Sequence, residues 1–195
     1  MIPCEGGHAD FPPRSAEDFE LYEFAKNYIE NSNNVENERS KGPVYRISME
    51  RVCAGPAVPL IYEFMKTKYP DLPRVLEPNL SVDEIKSYDV IKTAIDTKDE
   101  LCMKVVEKFS DIYATEVGNF ALKTLPYGGI FLVGGVTMGI SKYLIEDSHF
   151  REVFFHKGRF ESMMRRFPLI LLKPEVELGI LGAEEAAFRS LGSYK

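Results

Sequence analysis

The sequence predicts an α/β protein, and three observations predict it. Two short apolar runs read as buried strands: residues 128–135 (GGIFLVGG), bounded by glycine pairs, and residues 169–172 (LILL), set off by Pro168. Ahead of the first run, residues 101–125 keep apolar side chains at a three-to-four residue period for about seven helical turns. Strand, helices, strand and helix in that order make a parallel pair the default.

Taken in order, residues 3–11 (PCEGGHADF) form a polar loop with Glu5 and His8 three apart, two glycines between them and Asp10 close behind. Pro12 and Pro13 give an extended step. Ser15 with Asp18 reads as a capping box, opening a helix with Phe19, Tyr22, Ala25, Tyr28 and Ile29 on one stripe. Residues 30–42 hold four asparagines and almost nothing apolar, so they read as an exposed insertion without chemistry. Residues 43–47 read as extended, and residues 48–57 (SMERVCAGPA) lead into a helix carrying Leu60, Ile61, Phe64 and Met65. Gly55 permits a close backbone approach there, and Pro56 suits the first helical turn, where its missing N–H costs nothing.

Residues 69–78 contain three prolines and read as a loop. Ser81 with Glu84 reads as a second capping box, opening a helix to about residue 94, and Thr97 with Glu100 as a third, opening the longest helix. In that helix Leu101, Val105, Phe109, Ile112, Tyr113, Val117, Phe120 and Leu125 are expected in the core. The unbroken apolar run at 128–135 predicts a sheet covered on both faces. A helix over about 137–146 follows, and then an apolar face from Phe150, Phe154 and Phe155 through Met163 and Met164. Beyond the second strand, residues 178–183 (LGILGA) lead into a small-residue helix over 184–190 suited to pack closely on a neighbour.

With 195 residues, 45% of them hydrophobic, the chain can bury a real core, and it is expected to form a single domain over residues 1–195. A formal charge of −6 leaves no basic excess to displace counterions from a phosphate backbone, which argues against nucleic-acid binding. The one basic run, residues 157–166, has four cations diluted by Phe160, Glu161 and two methionines, and reads as a solvated helical face. Cys4, Cys53 and Cys102 fit no paired or metal-ligand spacing, so reduced thiols and a cytoplasmic, reducing compartment are expected. The opening residues lack a signal-peptide pattern, and no apolar run is long enough to span a bilayer.

Candidate chemistry concentrates in Glu5, His8, Asp10 and Glu50. Their spacing matches no metal motif, and no metal is expected. A polyhydroxylated ligand suits them better: a carboxylate accepts from both members of a vicinal hydroxyl pair, and an imidazole donates or accepts. Such charge-assisted bonds contribute about 1.5–3 kcal/mol each. The competing reading is that Glu5 and Asp10 are surface charges and His8 caps a turn. Gly134 and Gly135, after a strand and before a helix, would let a ligand approach the backbone, although no Walker lysine follows. His149 and His156 read as surface or packing residues, and Cys53 and Cys102 as inert thiols in apolar helical settings.

Five segments together resemble one family, the glucokinases of bacteria and protists in the hexokinase/actin-like superfamily. They are EGGHADF (5–11), SMERVCAGP (48–56), the glycine-bounded strand (129–135), FFHKGR (154–159) and LGILGA (178–183). Their order and rough spacing agree over almost the whole chain. The resemblance implies the α/β large lobe of an actin-like, RNase H-like sugar kinase, incomplete at its N-terminus. It also implies ATP-dependent phosphorylation of glucose at the 6-hydroxyl, the entry step of glycolysis. Glu5, His8 and Glu50 would bind glucose, Gly134 and Gly135 would lie along the nucleotide, and ATP with Mg2+ would be the co-substrate; a homo-oligomer stays open. Two features depart from the family: Ala54-Gly55-Pro56-Ala57 stands where Ser-Gly-Pro-Gly is usual, and residues 30–42 look added. The family's Asn-Asp pair, whose aspartate is the general base, its first phosphate loop (DGGT type) and its GTG-rich segment have no match among the 195 residues. The chain alone is therefore expected to be inactive, and the alternative is a non-catalytic sugar- or partner-binding module derived from such a kinase.

Overall fold

In the computed structural model, which describes residues 4–31, 44–77, 84–145, 148–172 and 178–192, helix α1 (Ala16–Asn31) starts where its cap residues dictate. The Ser15 hydroxyl accepts the Asp18 N–H at 3.1 Å, half of the expected capping box. The reciprocal bond is displaced by one residue, with the Arg14 N–H donating to the Asp18 carboxylate at 3.0 Å. The expected stripe is rotated too. Asp18, Leu21 and Ala25 are buried, whereas Phe19 is 61% exposed. Most of the expected insertion, residues 32–42, lies outside the described residues.

A five-residue helix, α2 (Met49–Cys53), precedes α3 (Ala57–Lys68) and was not foreseen as a separate element. Leu60, Ile61, Phe64 and Met65 of α3 are all buried, as their spacing required. Helix α4 (Ser87–Asp96) opens later than expected, at Lys86, whose N–H donates to the Asp89 carboxylate at 2.9 Å; Ser81 lies outside the described residues. Helix α5 (Glu100–Thr124) is capped by Asp99, which accepts the Cys102 N–H at 2.9 Å. Leu101, Val105, Phe109, Ile112 and Val117 sit in the core, while Phe120 and Leu125 near its end are about half exposed. Helix α5 packs against α3 and α4.

Strand β1 (Ile130–Leu132) pairs in parallel with β2 (Leu169–Leu171), Ile130 opposite Leu169 and Leu132 opposite Leu171. Burial alternates along β1: Ile130 and Leu132 face the core, but Phe131 between them is 57% exposed. The expectation of a sheet covered on both faces is thus corrected: among the described residues only one face is covered. The helix expected over 137–146 is two short ones, α6 (Gly135–Gly139) and α7 (Ser141–Ile145), with Ile140 buried at the joint. Gly139 permits the crossing there, since a Cβ would stand 3.3 Å from the Ile91 side chain of α4.

Helix α8 (Ser148–Phe155) lies on α5 and buries Phe150 and Phe154. The short α9 (Glu161–Met164) buries Met164. The last helix, α10 (Leu178–Gly192), starts earlier than expected and has no buried residue, so the close packing predicted from its small residues is not formed. Among the described residues no helix is long and apolar enough to cross a membrane.

Candidate functional site

Residues 4–11 owe their shape to a few backbone bonds. Gly6–His8 form a single 3-10 turn in which the His8 N–H donates to the Glu5 carbonyl and the Ala9 N–H to the Gly6 carbonyl, both at 3.0 Å. The loop is then fastened to a second segment. The Phe11 N–H donates to the Ile47 carbonyl and the Met49 N–H to the Ala9 carbonyl, each at 2.8 Å, and Asp10 with Ser48 makes an antiparallel bridge. Phe11, Ile47 and Met49 are buried, so apolar anchors hold both segments from below.

That fastening delivers Glu50, in the first turn of α2, to the imidazole of His8. His8 Nδ1 lies 3.8 Å from Glu50 Oε2, and His8 Nε2 lies 4.0 Å from Glu5 Oε2. Both separations exceed hydrogen-bond length, so all three groups keep lone pairs and protons for a ligand. All three side chains are open to solvent, at 89%, 58% and 46% exposure for Glu5, His8 and Glu50. The turn lies against α2: a Cβ on Gly7 would stand at ordinary contact distance, 3.6 Å, from Glu50 Cβ.

Asp10 takes a different role from the one its sequence position invites. Its carboxylate pairs with Arg46, whose Nη1 donates to Asp10 Oδ1 at 3.0 Å and to the His8 carbonyl at 2.8 Å. Arg46 was missed from sequence; the one signal that could have found it is its place opposite Asp10 once the two segments pair. Behind the turn is a cavity of about 280 Å³, lined by Ala9, Asp10, Pro12, Glu116, Asn119, Leu122 and Lys123. Glu5, His8 and Glu50 are not among its walls, so it is a separate feature at the surface of α5.

Gly134 and Gly135 close β1 and open α6. Gly134 has φ +106°, which favours glycine, and open space where a Cβ would point. The turn is held from within: the Thr137 hydroxyl donates to the Val133 carbonyl at 2.9 Å and lies 3.2 Å from the Tyr113 hydroxyl of α5. Gly55, between α2 and α3, lies against this element, its Cβ position 3.6 Å from the Val136 side chain. Helix α2 therefore has Glu50 at one end, while just past its other end the chain touches the residue next to Gly135.

Cys53, Cys102 and Lys157 belong to the packing of the helices. Burial, helped by Glu116, pushes the Cys53 thiol up to about 12, and burial followed by the Asp99 hydrogen bond pushes Cys102 up as well; both are poor nucleophiles, as expected. Burial and the charge of Arg14 hold the Lys157 ammonium below its ordinary value, against the pull of Glu116. Lys157 donates to Asn119 Oδ1 at 2.8 Å and ties the residues after α8 to α5. His149 lies 2.5 Å from Asp111 on the surface. Among the described residues no three His, Cys, Asp or Glu side chains stand close enough to hold a metal ion.

Comparison with known proteins starts from the fold. It is shared by the crystal structure of glucokinase from Balamuthia mandrillaris in complex with glucose, with a TM-score of 0.70 at 15% identity over 90% of this chain and 44% of that one. A glucokinase from an Antarctic psychrotroph gives a TM-score of 0.67 at 21% identity, over 89% of this chain and 46% of the other. These likenesses define part of an α/β sugar-kinase fold. At the level of sequence, the family profile described as Glucokinase matches residues 1–190. The glucokinase of Trichormus variabilis is 34% identical over 97% of this chain and 54% of its own length, and that of Synechocystis is 33% identical over 97% and 52%. The chain belongs to the glucokinase family, and it spans about half the length of the curated relatives it matches.

Proposed function

We propose that this chain carries the sugar-holding part of an ATP-dependent glucokinase that converts glucose to glucose 6-phosphate. The observation that carries the reading is the imidazole of His8 set between two carboxylates, 3.8 Å from Glu50 and 4.0 Å from Glu5, all open to solvent. Glu5 and Glu50 accept hydrogen bonds from pairs of sugar hydroxyls, and His8 donates or accepts according to its tautomer. Three groups on two segments fix the plane and the rotation of a pyranose ring, which one carboxylate alone does not. Gly134 and Gly135, with open space where a side chain would stand, would lie along the phosphates of ATP. Mg2+ would come with the nucleotide and neutralise charge on its phosphates; among the described residues no three His, Cys, Asp or Glu side chains stand close enough to form a cage for it. The three cysteines are free thiols, which fits a reducing compartment.

Phosphoryl transfer rests on positioning and on stabilising developing charge. No residue of this chain is assigned as the base that takes the proton of the 6-hydroxyl, and the 195 residues contain no Asn-Asp pair. Calorimetric titration of the chain with glucose tests the clamp. Binding is expected, and Glu5→Gln or His8→Ala is expected to weaken it at least tenfold, in line with about 1.5–3 kcal/mol for each charge-assisted bond. Unchanged affinity in both variants would sink the assignment. In a coupled assay the chain alone is expected to show no glucose-dependent ATP turnover; robust turnover would overturn that expectation.

A further inference from the structure

We propose that Arg46 is a positioning residue for the sugar clamp: its guanidinium locks the Gly6–His8 turn in the register that sets the His8 ring between Glu5 and Glu50. The proposal rests on the sugar-site reading above and goes beyond it by naming a group that touches no sugar.

The turn needs such a lock. None of its three residues is buried, and two of the three are glycines, whose backbones have the most freedom to lose on ordering. Just past it, Ala9 packs against the core while Asp10 borders the cavity of about 280 Å³, so the packed anchor starts beyond the turn. The two backbone bonds to residues 47 and 49 begin only at Ala9 and Phe11, beyond the turn. Beside the van der Waals contact of Gly7 with Glu50, Arg46 reaches back into it by hydrogen bond, with one nitrogen donating to the His8 carbonyl at 2.8 Å and to Asp10 at 3.0 Å. The two bonds differ in what they do. The one to Asp10 joins two exposed side chains and is weak on its own, although it aims the guanidinium. The one to the His8 carbonyl fixes the peptide plane of the residue whose ring meets the ligand. Because Arg46 lies on the segment that continues into Glu50, it ties both halves of the clamp to one another.

Two measurements on the 195-residue chain test this, with Arg46→Met, Arg46→Lys and Asp10→Asn beside the unchanged protein. Amide hydrogen exchange needs no sugar: in Arg46→Met the His8 and Ala9 amides are expected to exchange about fivefold faster, with the amides of α3 and α5 unchanged. In Asp10→Asn, which keeps the bond to the His8 carbonyl, the effect is expected to be smaller. Glucose titration then reads the consequence: Arg46→Met weakens binding about tenfold, and Arg46→Lys, whose ammonium still reaches the carbonyl, recovers part of the loss. Unchanged exchange at His8 and Ala9 in Arg46→Met overturns the proposal whatever the sugar does. So does faster exchange with glucose affinity kept, because the lock would then not serve the clamp. If Glu5→Gln and His8→Ala both leave binding intact while Arg46→Met loosens the turn, the sugar-site assignment fails and the lock itself stands.

Discussion

Lys108 illustrates what one buried charge demands of its surroundings. Its side chain is 8% exposed, with Nζ 2.6 Å from Glu17 Oε2 and 3.0 Å from Asp18 Oδ1. Burial lowers its pKa, but the hydrogen bonds and charges of Glu17 and Asp18 outweigh that and hold it above its ordinary value. Asp18 is the mirror case: burial raises its pKa, and the Arg14 N–H, Lys108 and Ser15 together carry it below the ordinary 3.8. A carboxyl depressed in the folded state stabilises above its unfolded value and loses that contribution as pH falls through the folded one. The lysine contributes below its unfolded value of 10.5 and loses it as pH rises through its raised one. Stability is therefore expected to decline on acidification below about pH 4, and Asp18→Asn to flatten that limb in urea titrations at several pH values. Lys108→Met leaves the buried Asp18 carboxylate without its cation, held by the Arg14 N–H, and is expected to lower the unfolding free energy by about 3 kcal/mol in the same titrations. The pairing also explains why α1 is rotated from its expected stripe. Turning Asp18 inward to meet Lys108 brings in Leu21 and Ala25 and leaves Phe19 in water.

Among the elements, α5 is the post to which the others are fixed, and its crossing with α8 turns on Gly118. A Cβ there would lie 2.6 Å from Lys157 Cε and 3.0 Å from the Phe154 carbonyl. The lysine stem can move aside, but the carbonyl belongs to the end of α8 and cannot. Gly118→Ala is expected to destabilise the chain by about 2 kcal/mol in urea unfolding. Pairing it with Lys157→Ala should recover only part of that loss, since the Phe154 contact remains. The amphipathic period of α5 was legible from sequence because each residue in it answers to the same long-lived local geometry. Its last turn was not, because Phe120 and Leu125 are left about half exposed by the elements around them. Similarly, the 128–135 run predicted a strand correctly, but only partners can decide whether Phe131 and Val133 are covered, and a partner is not a local property.

Across the whole molecule, α10 stands apart. None of its residues is buried, and Ile180, Phe188 and Leu191 are each more than 60% exposed. Removing residues 178–192 is expected to change the unfolding free energy of the rest by less than about 0.5 kcal/mol, the usual scale for surface changes. A larger drop in urea unfolding would mean that the helix packs on the core in solution. Its small residues signalled close packing in the sequence, yet small side chains permit such packing without compelling it.

The sequence by itself determined the α/β class, the long helix, the two strand segments and the family, because these rest on periodicity, punctuation and motif order within short windows. It also carried the identities of Glu5, His8 and Glu50, whose roles as sugar ligands remain the proposal made above. Tertiary structure decided that His8 meets Glu50 across 42 residues of chain, that Asp10 leaves the group to pair with Arg46, and that Arg46 holds the His8 carbonyl. The physical reason is the bridge between Asp10 and Ser48. A register between two extended segments is set by buried anchors such as Phe11, Ile47 and Met49, and where those anchors meet is settled by the packing of the whole core.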